Sequence, residues 1–229
     1  MTVTRPAGGA LHGMAAVQPH LPAAASVGLG VLALGAMVLP GGWAFTQHVN
    51  TMAHEGAHAA VGSATGRRIT GVTLRGNGDG LTTMTAASGG GYVLAGVVGY
   101  LGPSAFGLGA AELIRVGHPV AVLWITVAAL AVLAVLARRS AFGVAVALGS
   151  GFGVYLVARY APVGAAVALA YAMAWFLLLS GVGVVLSHGR DAGDAIILRQ
   201  LTRMPRGLWA GLWLIGSALA LIAGGRMLV

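Results

Sequence analysis

Two histidines and a glutamate in the first third of the chain have the types and spacing needed for metal chemistry. His54 and His58 are four positions apart, so on an α-helix they lie one turn apart on one face and can direct ring nitrogens at a single ion. Glu55 completes the pattern His-Glu-x-x-His. In this arrangement the histidines hold Zn²⁺, one coordination position stays open for water, and the glutamate takes a proton as that water attacks a peptide carbonyl. The motif therefore predicts zinc-dependent peptide hydrolysis with Glu55 as the base.

The composition of the chain places this motif in a lipid bilayer. Hydrophobic residues make up 58% of the 229 residues and charged residues only 8%, against about 25% charged residues in soluble domains. All 13 basic residues are arginines, and they flank apolar runs instead of forming one basic face, so nucleic-acid binding is not predicted. Histidines and a carboxylate inside a membrane helix are costly without a partner, which makes them functional candidates.

The apolar runs predict an all-α polytopic membrane protein with about six to seven transmembrane helices. A flexible tail, residues 1–24, precedes a single transmembrane domain, residues 25–229. The motif lies on the second helical stretch, from Trp43 to about Gly62. Alternating strand-forming residues around a Gly-rich turn predict a β-hairpin insertion at 69–86, and a polar cytoplasmic segment occupies 187–205.

The placement of the arginines predicts the orientation, because short cytoplasmic loops accumulate positive charge. With a cytoplasmic N-terminus and seven spans, 10 of the 13 arginines lie on the cytoplasmic side. The motif then lies toward the cytoplasm in a multi-pass protein of the cell membrane, which we expect to be a bacterial inner membrane.

Zinc needs a third protein ligand, and because the chain has no cysteine, His, Asp or Glu must supply it. Glu112 is expected at the opposite membrane face, and Asp79 lies in a turn where aspartate is common. Asp191 and Asp194 share the polar segment that opens on the same side as the motif, so both are candidates. Asn50, one turn before His54 on the same face, either orients a ligand or is an ordinary polar residue near a helix end.

Four stretches together carry a family resemblance: His54-Glu55-Gly56-Ala57-His58, the strand-like stretch after it, Tyr100-Leu101-Gly102-Pro103, and Gly193-Asp194-Ala195 before Leu201-Thr202. With these stretches the sequence resembles the site-2 protease family, and more closely its small bacterial branch without accessory domains. The resemblance implies that a late aspartate is the third zinc ligand, and Asp194 matches it best, with Asp191 as the alternative. Gly102 and Pro103 resemble the helix break near the metal where freed backbone groups contact substrate, although ordinary packing of a membrane helix explains them equally well.

The motif and the resemblance predict an integral-membrane zinc metalloendopeptidase that hydrolyses a peptide bond in or near a membrane-embedded segment of a protein substrate. Its expected partners are a membrane protein or peptide and the lipid bilayer. One alternative is a metal transporter or sensor, which would carry more His or acidic residues within the other spans. A second alternative is a non-catalytic family member that binds membrane partners, but such a protein need not keep Glu55.

Overall fold

The computed structural model describes residues 17–39, 41–85, 88–189 and 193–229 of the chain. The predicted alternative ligand Asp191 and most of the predicted tail lie outside these residues. The described ranges contain one two-stranded sheet and eight α-helices. In chain order the elements are α1 (Ala23–Val38), α2 (Gly42–Ala64), β1 (Ile69–Leu74), β2 (Gly80–Met84), α3 (Gly90–Arg115), α4 (Pro119–Leu136), α5 (Ala141–Tyr160), α6 (Val163–His188), α7 (Gly193–Thr202) and α8 (Arg206–Leu228).

Five of the described helices, α3, α4, α5, α6 and α8, are long and apolar enough to cross a membrane. Helix α1 is apolar but has only 16 residues. Helix α2 has 23 residues and is more polar, because it carries the His-Glu-x-x-His motif and several other polar side chains. The prediction of an all-α polytopic membrane protein with a short hairpin after the motif helix is confirmed.

Helix α3 lies at the centre of the bundle and packs against α2, α6 and α8. Small residues permit these close contacts, as is usual where membrane helices meet. Gly102 faces Ala57 of α2, and an added Cβ atom there would also lie 3.2 Å from the carbonyl oxygen of Ala53. The motif helix is therefore held directly against the central helix.

Pro103 lies inside α3, which continues through it. The sequence predicted that Gly102-Pro103 would interrupt this span, and that expectation is wrong as regards secondary structure. Proline lacks an N–H and cannot donate to the carbonyl of the residue four positions earlier, here Gly99, but membrane helices tolerate this loss when neighbours pack closely. Pro103 is fully buried in the bundle.

The hairpin packs on α2 through alternate residues. Val72 and Leu74 of β1 are buried with Met52 and with apolar residues of α4 and α5, as expected for a strand with one face on a core. β1 pairs with β2 in an antiparallel register that places Val72 opposite Thr82 and Leu74 opposite Gly80. The turn between them includes Gly78, whose φ of 91° favours glycine.

The polar segment predicted at 187–205 contains the short helix α7, which the sequence did not predict. Leu198 anchors α7 because its side chain is fully buried and packs against Gly96 of α3. At the other end of the bundle, the backbone N–H of Gln18 donates to the carbonyl of Gly117 at 2.8 Å, so the chain just before α1 packs on the α3–α4 connection.

Candidate metal centre

The two motif histidines meet at their Nε2 atoms. Helix α2 places His54 and His58 on one face, with the two Nε2 atoms 3.0 Å apart. The Nδ1 atom of His58 lies 2.7 Å from the carbonyl oxygen of Ala95 on α3. A carbonyl oxygen can only accept a hydrogen bond, so Nδ1 carries the proton and Nε2 of neutral His58 offers its lone pair. This carbonyl therefore holds the ring in one orientation, as the hydrogen-bond partners of metal-binding histidines do.

Asp194 approaches both histidines from the first turn of α7. Its Oδ2 atom lies 3.0 Å from Nε2 of His54 and 3.2 Å from Nε2 of His58. This oxygen is buried and has no aligned hydrogen-bond donor among the described residues.

The cluster of His54, His58 and Asp194 fits a divalent metal ion. Each residue offers one ligand atom, and these atoms lie within 4.8 Å of one another. Zinc ligands at 2.0–2.2 Å in a tetrahedron are about 3.3–3.6 Å apart, so the separations of 3.0–3.2 Å found here need to widen by only a few tenths of an ångström to admit the ion. Three electron-pair donors that face one another in a buried place also repel each other unless a cation or proton lies between them. In the described part of the chain, no other group of three or more such residues is found.

Comparison with known proteins supports this interpretation of the cluster. A protein-family model described as Peptidase M50B-like matches residues 27–224, which include all three residues. The chain belongs to this family. No curated protein and no solved structure matches the chain. The resemblance to site-2 proteases is therefore confirmed, and the chain is a multi-pass membrane protein of an intramembrane metallopeptidase family.

In this M50B-like chain, Gly99 lets α3 approach both histidine rings. An added Cβ atom at Gly99 would lie 2.5 Å from Nε2 of His58 and 2.8 Å from Cε1 of His54. Any side chain at this position would therefore displace the rings of His54 and His58.

Aromatic side chains also pack against His54. The ring of Tyr100 meets the His54 ring edge to face with centroids 4.9 Å apart, and it stacks on Trp213 of α8 at 4.5 Å. Trp213 is fully buried and donates from its indole N–H to the carbonyl of Val97 at 2.8 Å. Helix α8 thus braces the part of α3 that lines the cluster.

Glu55 lies next to the cluster in sequence but turns toward the hairpin. Its side chain is 4% exposed. Thr82 of β2 donates a hydrogen bond to its Oε2 atom at 2.6 Å. Among the described residues the carboxylate makes no hydrogen bond to His54 or His58.

Three other predicted site residues in the described ranges, Asn50, Gly102 and Pro103, are not part of the cluster. Asn50 is buried, and its Oδ1 atom has no hydrogen-bond partner among the described residues, so its role in orienting a ligand stays a prediction. Gly102 and Pro103 are packed inside the bundle, and their role in substrate contact stays a prediction. Asp191, outside the described residues, likewise stays a prediction.

The remaining acidic residues have other partners. Asp79 accepts a hydrogen bond from Asn77 at 2.7 Å within the hairpin turn. Glu112 pairs with Arg115 at 2.6 Å on an exposed part of α3. Neither carboxylate is available to the metal cluster.

Three contributors to this site were not identified from the sequence: the Ala95 carbonyl, Gly99 and Thr82. A main-chain carbonyl carries no sequence signal, and Gly99 is one of 38 glycines in the chain. Thr82 lies in a predicted strand, where threonine is common for its shape alone. In the structure, Gly80, Thr82 and Met84 are the less exposed residues of β2, and alternation along the predicted strand is the signal that could have grouped them.

Proposed function

We propose that this protein is an intramembrane zinc metalloendopeptidase that hydrolyses a peptide bond in or near a membrane-embedded segment of a protein substrate. His54, His58 and Asp194 hold the zinc ion, and Glu55 is the catalytic base. The observation that carries the proposal is the convergence of Asp194, distant in sequence, on the two histidines of the His-Glu-x-x-His helix.

The chemistry follows from the donor set and from the position of Glu55. When bound, zinc supplies a Lewis acid that lowers the pKa of water and polarises the scissile carbonyl. Glu55 takes a proton from the attacking water and delivers it to the nitrogen of the leaving amine. Burial of the Glu55 carboxylate excludes competing water and strengthens its electrostatic interaction with the reacting groups.

The surroundings of the cluster support a membrane-embedded substrate. The motif helix packs inside a bundle with five described helices long and apolar enough to span a membrane. A peptide bond therefore reaches the zinc from within the bilayer or from its edge, so the substrate is a membrane protein or peptide. In the cell we place the protein in a bacterial inner membrane with the active site toward the cytoplasm.

The decisive experiment compares the wild-type protein with Glu55→Gln. Both proteins are purified in detergent and incubated with solubilised membrane proteins of the host cell, and new peptide termini are identified by mass spectrometry. We expect new termini in or beside apolar segments with the wild-type protein only. Glu55→Gln should bind one zinc ion per chain, as measured by elemental analysis, because it keeps all three ligands.

Two outcomes would contradict the proposal. Wild-type protein that holds zinc but produces no new termini would remove the peptidase function. Cleavage that persists in Glu55→Gln would remove Glu55 as the base. A zinc chelator should abolish wild-type cleavage, and added zinc should restore it.

A further inference from the structure

Strand β2 lies along the motif helix. Thr51 donates a hydrogen bond to the carbonyl of Gly78 at 2.6 Å, at the start of this contact. An added Cβ atom at Gly80 would lie 2.7 Å from the methyl group of Thr51 and 2.5 Å from Oε1 of Glu55. Thr82 follows with its hydrogen bond to Glu55. The inward-facing residues of the strand therefore follow the face of α2 that carries the base.

The two oxygens of the Glu55 carboxylate have different surroundings. The Thr82 hydroxyl lies 2.6 Å from Oε2 and 3.2 Å from the main-chain oxygen of the same residue. A hydroxyl has one proton to donate, and the shorter contact to a charged acceptor is the stronger. Oε1 has no hydrogen-bond partner among the described residues and lies where Gly80 leaves room for it.

A buried carboxylate needs such a donor. Glutamate has a flexible side chain, and a charged group in an apolar interior is costly unless it is hydrogen bonded. General-base catalysis also depends on placement, since displacement by about 1 Å can cost on the order of 100-fold in rate. One hydroxyl that fixes Oε2 addresses both requirements.

We infer that Thr82 is a positioning residue for the base: it holds Oε2 of Glu55 so that Oε1, in the space left by Gly80, receives the proton from water. The inference rests on the proposed function, because it assumes that Glu55 is the base. It also gives the hairpin a role in catalysis, as the element that orients the base from outside the motif helix.

The test uses a matched pair of neighbouring threonines. Thr82→Val keeps the shape of the side chain and removes the donor, and Thr82→Ser keeps the donor. Thr83→Val is the control, because the Thr83 hydroxyl faces away from α2 and bonds with Thr70 at 2.9 Å. The probe is a quenched fluorescent peptide spanning the most abundant wild-type cleavage site found above.

We expect Thr82→Val to lower kcat by about tenfold to 100-fold, within the range that base positioning contributes. KM should stay within about twofold and zinc content should equal that of wild type, because neither the metal ligands nor the substrate contacts change. Thr82→Ser should restore most of kcat, and Thr83→Val should match wild type.

A second measurement needs no substrate. In a double-mutant cycle on thermal unfolding in detergent, Thr82→Val should lower the melting temperature of the zinc-loaded wild type more than that of Glu55→Ala. Equal shifts in both backgrounds, or a Thr82→Val enzyme as active as Thr83→Val, would overturn the inference. Loss of zinc in Thr82→Val would also overturn it, since the residue would then support the metal site.

These outcomes separate the inference from the proposed function. If Glu55→Gln is inactive while Thr82→Val cleaves at the wild-type rate, only the inference fails. If Glu55→Gln still cleaves the peptide, both fail.

Discussion

Gly99 lies at the point where the central helix α3 meets the two histidine rings. Its role is steric: the absence of a side chain lets the Nε2 atoms of His54 and His58 converge. This explains why a residue without a functional group belongs to the site.

Replacement of Gly99 by alanine should weaken zinc binding. The new methyl group would displace both rings. We expect zinc affinity to fall by about 10-fold to 100-fold, which is the loss seen when a residue that orients a metal ligand is removed. Competition with a chromogenic zinc chelator measures the affinity. Gly109→Ala is the matched control on the same helix, because nothing lies within 4 Å of an added Cβ atom there. Equal affinity in both variants would contradict this role.

Asp194 should be indispensable for zinc affinity. Asp194→Ala removes the oxygen that approaches both histidines. Zinc affinity should therefore fall by more than about 100-fold, which is more than the loss caused by removing a residue that only orients a metal ligand. Asp79→Ala should keep wild-type affinity, because that carboxylate is engaged in the hairpin turn.

Asp191→Ala completes this comparison of the acidic residues. If it loses zinc while Asp194→Ala retains it, the third ligand is misassigned.

At the scale of elements, α8 braces the metal cluster from outside α3. Trp213 stacks on the ring of Tyr100 and donates one hydrogen bond to the main chain of α3. The ring of Tyr100 in turn packs against His54. The short helix α7 docks beside it through Leu198. The positions of Tyr100 and Asp194 therefore depend on the same group of buried apolar side chains from α3, α7 and α8.

Trp213→Ala should destabilise this apolar group and with it the folded protein. Loss of a fully buried tryptophan costs about 3–5 kcal/mol in free energy of unfolding, which a denaturant titration in mixed micelles can measure. Leu212→Ala, on the same helix but 52% exposed, should change little. A Trp213→Ala protein as stable as Leu212→Ala would show that α8 does not brace the site.

The sequence predicted the helices, the hairpin and the spacing of residues within one helix better than it predicted contacts between these elements. His54, Glu55 and His58 could be identified because an i,i+4 pair is set by one helix. The order of helices and the hairpin followed from apolar runs and strand alternation. Asp194 could not be separated from Asp191 by the residues alone, because both share one polar segment. Thr82 and Gly99 depend on how the hairpin and α3 pack on α2, and no local pattern encodes that packing.

For the whole molecule, the packing of the site restricts the topology. The cluster joins the second half of α2 to the start of α7, so we expect the hairpin after α2 and the end of α6 to lie on the same membrane side. We expect the α3–α4 connection, at the other end of α3, to lie on the opposite side.

Cysteine labelling tests this arrangement directly, because the native chain has no cysteine. Single cysteines at Asn77, Ser187 and Val116 are treated with a membrane-impermeant maleimide in vesicles of known orientation. Asn77→Cys and Ser187→Cys should react from the cytoplasmic side and Val116→Cys from the other. If all three cysteines react from the sides opposite to those expected, the proposed orientation is wrong. If Asn77→Cys and Ser187→Cys react from different sides, the arrangement of helices described above is wrong.

The dependence of the cluster on Asp194 has a consequence for biosynthesis. The two histidines enter the membrane early, but their carboxylate partner is translated only after six of the eight described helices. A nascent chain is therefore expected to bind zinc only weakly until α7 has been made. Late completion of the site would keep the unfinished chain from cleaving other membrane proteins, and chains truncated before α7 should be inert.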